Sequence, residues 1–165
     1  MKFDSSIVKT TFDSALGPMI LAATDQGLAG VWFDDQQHRP DDTQWPVRAD
    51  HPVLQNAVQQ LEQYLAGERS DFDLPLDLRS GTAFQQSVWQ ALLKIPAGGT
   101  TSYGVIGTRV GNPKAVRAVG AAVGRNPIGI IVPCHRVMGA DGSLTGYAGG
   151  LHRKQALLKL ETSTA

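Results

Sequence analysis

Apolar-rich runs over Ser6 to Phe12, Met19 to Thr24 and Leu28 to Phe33 are separated by turn signals at Leu16-Gly17-Pro18 and Asp25-Gln26-Gly27. The pattern predicts three short strands in an antiparallel meander. Asp34 to Asp50 is rich in Asp, Gln, Pro and Arg, lacks periodicity and reads as an exposed loop. From Pro52 the period changes: Val53, Leu54, Ala57, Val58, Leu61, Tyr64 and Leu65 recur at helical spacing until Gly67, which predicts a helix packed on the meander. Asp71 to Leu78 alternates but contains Pro75, as an extended connector or edge strand would.

Helical signals dominate the second half. Thr82 and Gln85 have capping-box spacing and open a helix to about Ile95, with Phe84, Val88, Trp89, Leu92 and Leu93 on one side. Ser102 can cap a helix from Tyr103 to about Val110. Gly111 stops it, and Asn112 and Pro113 begin another from Lys114 to about Val123, so the pair predicts a helix-turn-helix. Ile128 to Val132 is a continuous apolar run bounded by prolines and reads as a buried strand. Val137 to Thr145 carries an Asp141-Gly142 hairpin signal, which after a helix-turn-helix resembles a wing. Leu151 to about Glu161 forms a last helix, basic in its middle, with Leu157, Leu158 and Leu160 for packing. The boundary near Ser80 predicts an α+β protein of two domains, residues 1–79 and 80–165.

Charge sharpens that division. Of 165 residues, positions 1–79 hold six Lys/Arg against thirteen Asp/Glu, while positions 80–165 hold nine against two. The basic half implies a polyanionic partner or attraction between the halves. A single cysteine excludes an intramolecular disulfide and a multi-cysteine zinc site, and His38, His51, His135 and His152 lack ligand spacing. No metal, no cofactor and a reduced, cytoplasmic setting are therefore expected. The chain starts without a signal-type apolar core and has no run near the roughly 18 apolar residues of a membrane span.

The candidate chemistry centres on Cys134 and His135. A lone cysteine fits a small buried hydrophobe as well as a nucleophile. In an extended chain neighbouring side chains point apart, so the two residues cooperate only through a turn or a water. Apart from Lys114 and Arg117, the Lys114 to Val123 helix carries small side chains, which suit either tight packing or close approach to a DNA groove. The glycines of Gly146-Tyr147-Ala148-Gly149-Gly150 permit close backbone approach, without the pattern of a phosphate loop.

Several motifs occur in one collinear series from about Phe84 to Glu161: Gly98 to Tyr103, Gly111-Asn112-Pro113-Lys114, Arg117-Ala118-Val119-Gly120, Arg125-Asn126-Pro127-Ile128, Pro133-Cys134-His135-Arg136-Val137 and Thr145 to Leu151. Together they resemble the O6-alkylguanine-DNA alkyltransferase family. The resemblance implies a small ribonuclease H-like sheet-and-helix domain followed by a winged helix-turn-helix-like domain. It also implies single-turnover transfer of an alkyl group from O6-alkylguanine, and from O4-alkylthymine, in duplex DNA to Cys134. By that likeness His135 takes the thiol proton through a water, Glu161 orients the imidazole, Tyr103 donates a proton to the guanine and Asn126 ties the turn before Cys134. Arg117 fills the space of the flipped base, and Lys114, Ala115, Ala118, Arg125 and Arg136 meet DNA. Val137, Tyr147 and Ala148 hold the base. Gly129 and Ala148 depart from bulkier residues in some members, leaving pocket width open. The implied protein is a monomer whose association on DNA stays open. Two other readings use the same residues: a non-catalytic binder of alkylated bases, against which Cys134 argues, and a cysteine hydrolase using Cys134, His135 and Glu161.

Overall fold

The computed structural model describes residues 1–163, and the meander forms as expected: β1 (Val8–Ser14), β2 (Gly17–Thr24) and β3 (Gly27–Phe33), antiparallel in that order. Alternation sends Met19, Leu21 and Ala23 into the main core and Ile20 and Ala22 to the other face. Helix α1 (Pro52–Leu65) covers the main face with Leu54, Ala57, Leu61 and Tyr64. Its first turn is capped by His51, whose Nδ1 accepts from the Val53 N–H at 3.2 Å.

The segment after β3 is the mostly exposed loop that its composition predicts, but Asp42 and Trp45 anchor it to the sheet. Trp45 packs on the outer sheet face with Phe3 and Trp32, Phe3 meeting both rings edge-on at 5.7 and 5.2 Å. Lys9 Nζ reaches Asp42 at 2.8 Å, and the Lys9 backbone exchanges hydrogen bonds with Pro46 and Arg48. These partners are distant in sequence, so periodicity carries no trace of them.

The second half contains α2 (Ala83–Leu92), β4 (Thr101–Ser102), α3 (Tyr103–Arg109), α4 (Val116–Gly124), β5 (Val137–Met138) and α5 (Leu151–Ser163). The Thr82 capping box and the Ser102 cap are both present. Trp89 Nε1 donates to the Ala122 carbonyl at 2.8 Å and locks α2 to α4. Gly111, at φ 78°, makes the left-handed exit from α3 that favours glycine. Two expectations are corrected here. Asn112 does not cap α4: its carbonyl accepts from the Ala115 N–H at 3.1 Å in a separate turn, and α4 has no side-chain cap. The Asp141-Gly142 turn exists, closed by the Gly139 N–H to the Ser143 carbonyl at 3.0 Å, but β5 pairs in parallel with β4 instead of with a returning strand.

The Ile128 to Val132 run is likewise no regular strand. The Val31 N–H donates to Pro127 at 2.8 Å and the Gly129 N–H to Val31 at 3.0 Å, one parallel bridge on the free edge of β3. Ile130 then turns at φ 71°, and the Val132 N–H closes on Ile128 at 2.9 Å. A β-branched residue there is strained by about 1–3 kcal/mol, so surrounding contacts must hold it. Cys134–Arg136 follow as a 3-10 turn. The same β3 edge bridges Leu28 to Leu76, so one strand aligns both the connector and the approach to Cys134.

Candidate active site

The turn at 126–132 aims Cys134, and one side chain organises that turn. Asn126 Nδ2 donates to the Val132 carbonyl at 2.7 Å while its Oδ1 accepts from the Ile128 N–H at 3.0 Å. Cys134 lines a cavity of about 220 Å³ together with Tyr103, Tyr147, Ala148, Gln37 and His38. Burial raises the thiol above its ordinary pKa; the Asn126 amide and the Lys154 charge act in the opposite direction. The resting group is thus a thiol that two neighbours help to ionise. Burial, and then the charge of a Cys134 thiolate, keep the Tyr147 phenol protonated. The Tyr103 hydroxyl lies 2.9 Å from Thr145 Oγ1 at the same cavity.

In a 3-10 turn successive side chains point about 120° apart, which separates His135 from Cys134 much as a strand would. His135 is fully buried and its Nε2 lies 2.8 Å from Glu161 Oε2. Glu161 also accepts from Arg136 Nε at 2.9 Å, from Arg136 Nη2 at 2.7 Å and from the Tyr64 hydroxyl at 2.5 Å. Burial opposes its charge, but these donors outweigh it and hold the carboxyl below its ordinary range. Burial lowers His135, so the imidazole is neutral at neutral pH. An ionised Glu161 can only accept, which puts the single ring proton on Nε2. Nδ1 is then a free base, and no group among the described residues pairs with it.

Arg136 is a correction. Expected on DNA, it is buried, forked on Glu161 and bonded through Nη1 to the Ile95 carbonyl at 2.6 Å. A buried carboxylate requires such a counter-charge. Lys114, Arg117, Ala118 and Arg125 are exposed on and around α4, and Ala115 is half-buried. Val137 is buried and does not line the cavity; its carbonyl accepts from Lys154 Nζ at 2.6 Å. Among the described residues no cluster of His, Cys, Asp or Glu could hold a metal ion, and no helix is long and apolar enough to cross a membrane.

Residues 7–78 match the family description 6-O-methylguanine DNA methyltransferase, ribonuclease-like domain, and residues 83–163 match 6-O-methylguanine DNA methyltransferase, DNA binding domain. The methylated-DNA–protein-cysteine methyltransferase of Mycobacterium tuberculosis is 54% identical over 155 residues, 94% of this chain and 92% of the relative. That of Methanosarcina acetivorans is 51% identical over 155 residues, 92% of this chain and 96% of the relative. The chain belongs to the methylated-DNA–protein-cysteine methyltransferase family. A crystal structure of M. tuberculosis O6-methylguanine methyltransferase aligns at TM-score 0.86 and 52% identity, covering 96% of this chain and 94% of that one. M. tuberculosis OGT in complex with DNA aligns at 0.85 and 53%, covering 94% and 92%. The α+β methyltransferase fold expected from sequence is the one these relatives share.

Several residues of this methyltransferase's site escaped the sequence reading. Tyr64 stood only as part of the α1 packing stripe. Arg153 and Lys154 entered only as the basic middle of the last helix, and both are buried. Arg153 donates to the Leu16, Asp35 and Gly149 oxygens at 2.9, 2.6 and 3.1 Å and sits 4.0 Å from the Phe33 ring, pinning the 146–150 loop to the meander. Gln37 donates its N–H to the Ala148 carbonyl at 3.0 Å, which brings the 34–50 segment to the cavity wall. One signal was available: the polar and apolar residues of α5 do not segregate to opposite faces, so whichever side packs must take charged residues along with its leucines.

Proposed function

We propose that the protein repairs DNA by moving a methyl or other alkyl group from O6-alkylguanine, and from O4-alkylthymine, in duplex DNA to Cys134, once per molecule. The observation that carries this reading is the placement of the Cys134 thiol in a base-sized cavity, with a buried His135–Glu161 pair beside it and exposed Arg117 on α4. Displacement at a saturated carbon needs a soft nucleophile, and a thiolate is the best side chain for it.

The sulfur attacks the alkyl carbon; the S–C bond forms as the C–O6 bond breaks, and the bonding electrons stay with oxygen. A water carries the thiol proton to His135 Nδ1, whose Nε2 proton stays on the ring, held by Glu161. Tyr103 donates a proton to the guanine, and solvent returns the imidazolium proton to the Tyr103 phenolate. In net, the thiol loses one proton and guanine gains one, His135 and Tyr103 return to their starting states, and the thioether stays on the protein. The target oxygen lies inside the base stack, so the nucleotide rotates out at a cost of a few kcal/mol. Arg117 fills the gap while Lys114, Ala115, Ala118 and Arg125 carry the phosphates and groove, and Tyr147 and Ala148 bound the extruded base. The division at residue 80, action as a monomer and a reduced cytoplasmic setting belong to the same reading.

The test uses a duplex with a labelled O6-methylguanine. The label should appear on the peptide containing Cys134 and vanish with Cys134→Ala; tight binding without transfer would replace this reading with a non-catalytic one.

A further inference from the structure

Glu161 Oε2 takes three donors, and they come from two distant parts of the chain. His135 and Arg136 adjoin the cysteine, whereas Tyr64 lies 97 residues from Glu161 on α1. We propose that Tyr64 is a positioning residue for alkyl transfer, acting through Glu161 on His135. This inference rests on the function proposed above, and it brings the N-terminal half into the chemistry.

Packing alone does not explain the hydroxyl. The Tyr64 ring is 2% exposed and lies 5.3 Å from the Phe72 ring, an environment that phenylalanine would fill equally well. A carboxylate oxygen has two lone pairs in its plane, so three donors on Oε2 crowd it and share out its charge. The groups facing this cluster are Tyr64 from α1, Cys134, His135 and Arg136 from the 3-10 turn, Tyr147 from the loop and Lys154 from α5. Burial, and then Glu161, raise the Tyr64 phenol, so it remains a donor throughout the working range. Each donor on Glu161 weakens its pull on the imidazole proton. With Tyr64 in place His135 stays neutral, Nε2–H is fixed on the carboxylate, and Nδ1 is free to receive the thiol proton. Without the hydroxyl, Glu161 concentrates its charge on His135 and raises its proton affinity, so Nδ1 is protonated at higher pH.

The experiment compares wild type with Tyr64→Phe in single-turnover methyl transfer from duplex O6-methylguanine across pH. On the acid limb, where Nδ1 must lose its proton before it can act, transfer should slow by about tenfold, with little change on the alkaline plateau. The acid limb should move to higher pH by about one unit. In a Glu161→Gln background Tyr64→Phe should add no further loss. An unmoved profile with only a lower unfolding temperature would assign Tyr64 to packing and overturn the proposal, as would an equal loss in the Glu161→Gln background. If Tyr64→Phe does not fold, nitrogen NMR of the wild-type His135 ring and the exchange rate of the Tyr64 hydroxyl proton decide instead. A slowly exchanging, downfield hydroxyl with the Nε2–H tautomer supports the proposal, and a fast-exchanging hydroxyl overturns it. Wild-type protein that transfers no methyl would refute the function itself; wild-type transfer with an unmoved variant refutes only this inference.

Discussion

In the β1–β3 meander a repeating backbone ladder holds the chain, whereas from Asn126 to Met138 individual side chains and single bridges do so. β3, most of β2 and most of the second region are buried, yet the second meets its polar groups one at a time: Asn126 on Val132, Val31 on Pro127 and Gly129, Lys154 on Val137, and Arg136 on Ile95. A ladder spreads a local loss over its neighbours. A singly held group has no substitute, so the meander should tolerate substitution at the expense of stability alone, while the active segment should lose chemistry as well.

The largest expected effect tests that difference at the shared carboxylate. Glu161→Ala removes the partner of His135, Arg136 and Tyr64 together and leaves Arg136 buried and unpaired, which should cost about 3–5 kcal/mol in urea unfolding. Methyl transfer by the molecules that remain folded should fall as well. Leu21→Ala in the meander should cost about 3 kcal/mol through its cavity, but the rate per folded molecule should match wild type. A lowered rate there would break the comparison. Asn126→Ala leaves the Val132 carbonyl and Ile128 N–H without partners, so about 2 kcal/mol should be lost, with slower transfer because the turn no longer aims Cys134.

Acid should weaken the active segment before the meander. His135 is held below its ordinary 6.5, so as pH falls past that value the unfolded chain takes up a proton that the folded chain resists, and stability declines. Glu161 is held below its ordinary 4.5, so its contribution is present above that value and is lost as pH falls further. Unfolding midpoints should therefore drop below pH 6.5, and Glu161→Gln should flatten the lower part of the decline. The smallest effect on stability belongs to exposed Arg117: Arg117→Ala should change it by no more than about 0.5 kcal/mol while slowing repair of duplex DNA more than reaction with free O6-methylguanine. Equal slowing on both substrates would remove Arg117 from base extrusion.

Legibility in the sequence followed the same contrast. Strands, α1 and the caps of α2 and α3 are local patterns, and Thr82, Ser102 and Pro52 could be read directly. The bent path through Ile130 could not, because a positive φ there depends on the β3 edge and on Asn126, both outside the apolar run. The collinear motifs singled out Cys134, His135, Tyr103 and Asn126, and the structure places Cys134 and Tyr103 on one cavity, Asn126 in the turn before it and His135 on Glu161. Arg136 was misplaced because nothing in the 133–137 motif shows that Glu161, 25 residues further on, holds it as a buried counter-ion. Tyr64 and Arg153 act across long sequence separations, and no spacing rule connects them to Cys134.

The central claim is that Cys134 is consumed, and the most direct measurement is the number of methyl groups transferred per protein molecule when duplex O6-methylguanine is in excess. Transfer should stop at one methyl per molecule, all of it on Cys134; continued turnover, or a methyl lodged on another residue, would contradict the account.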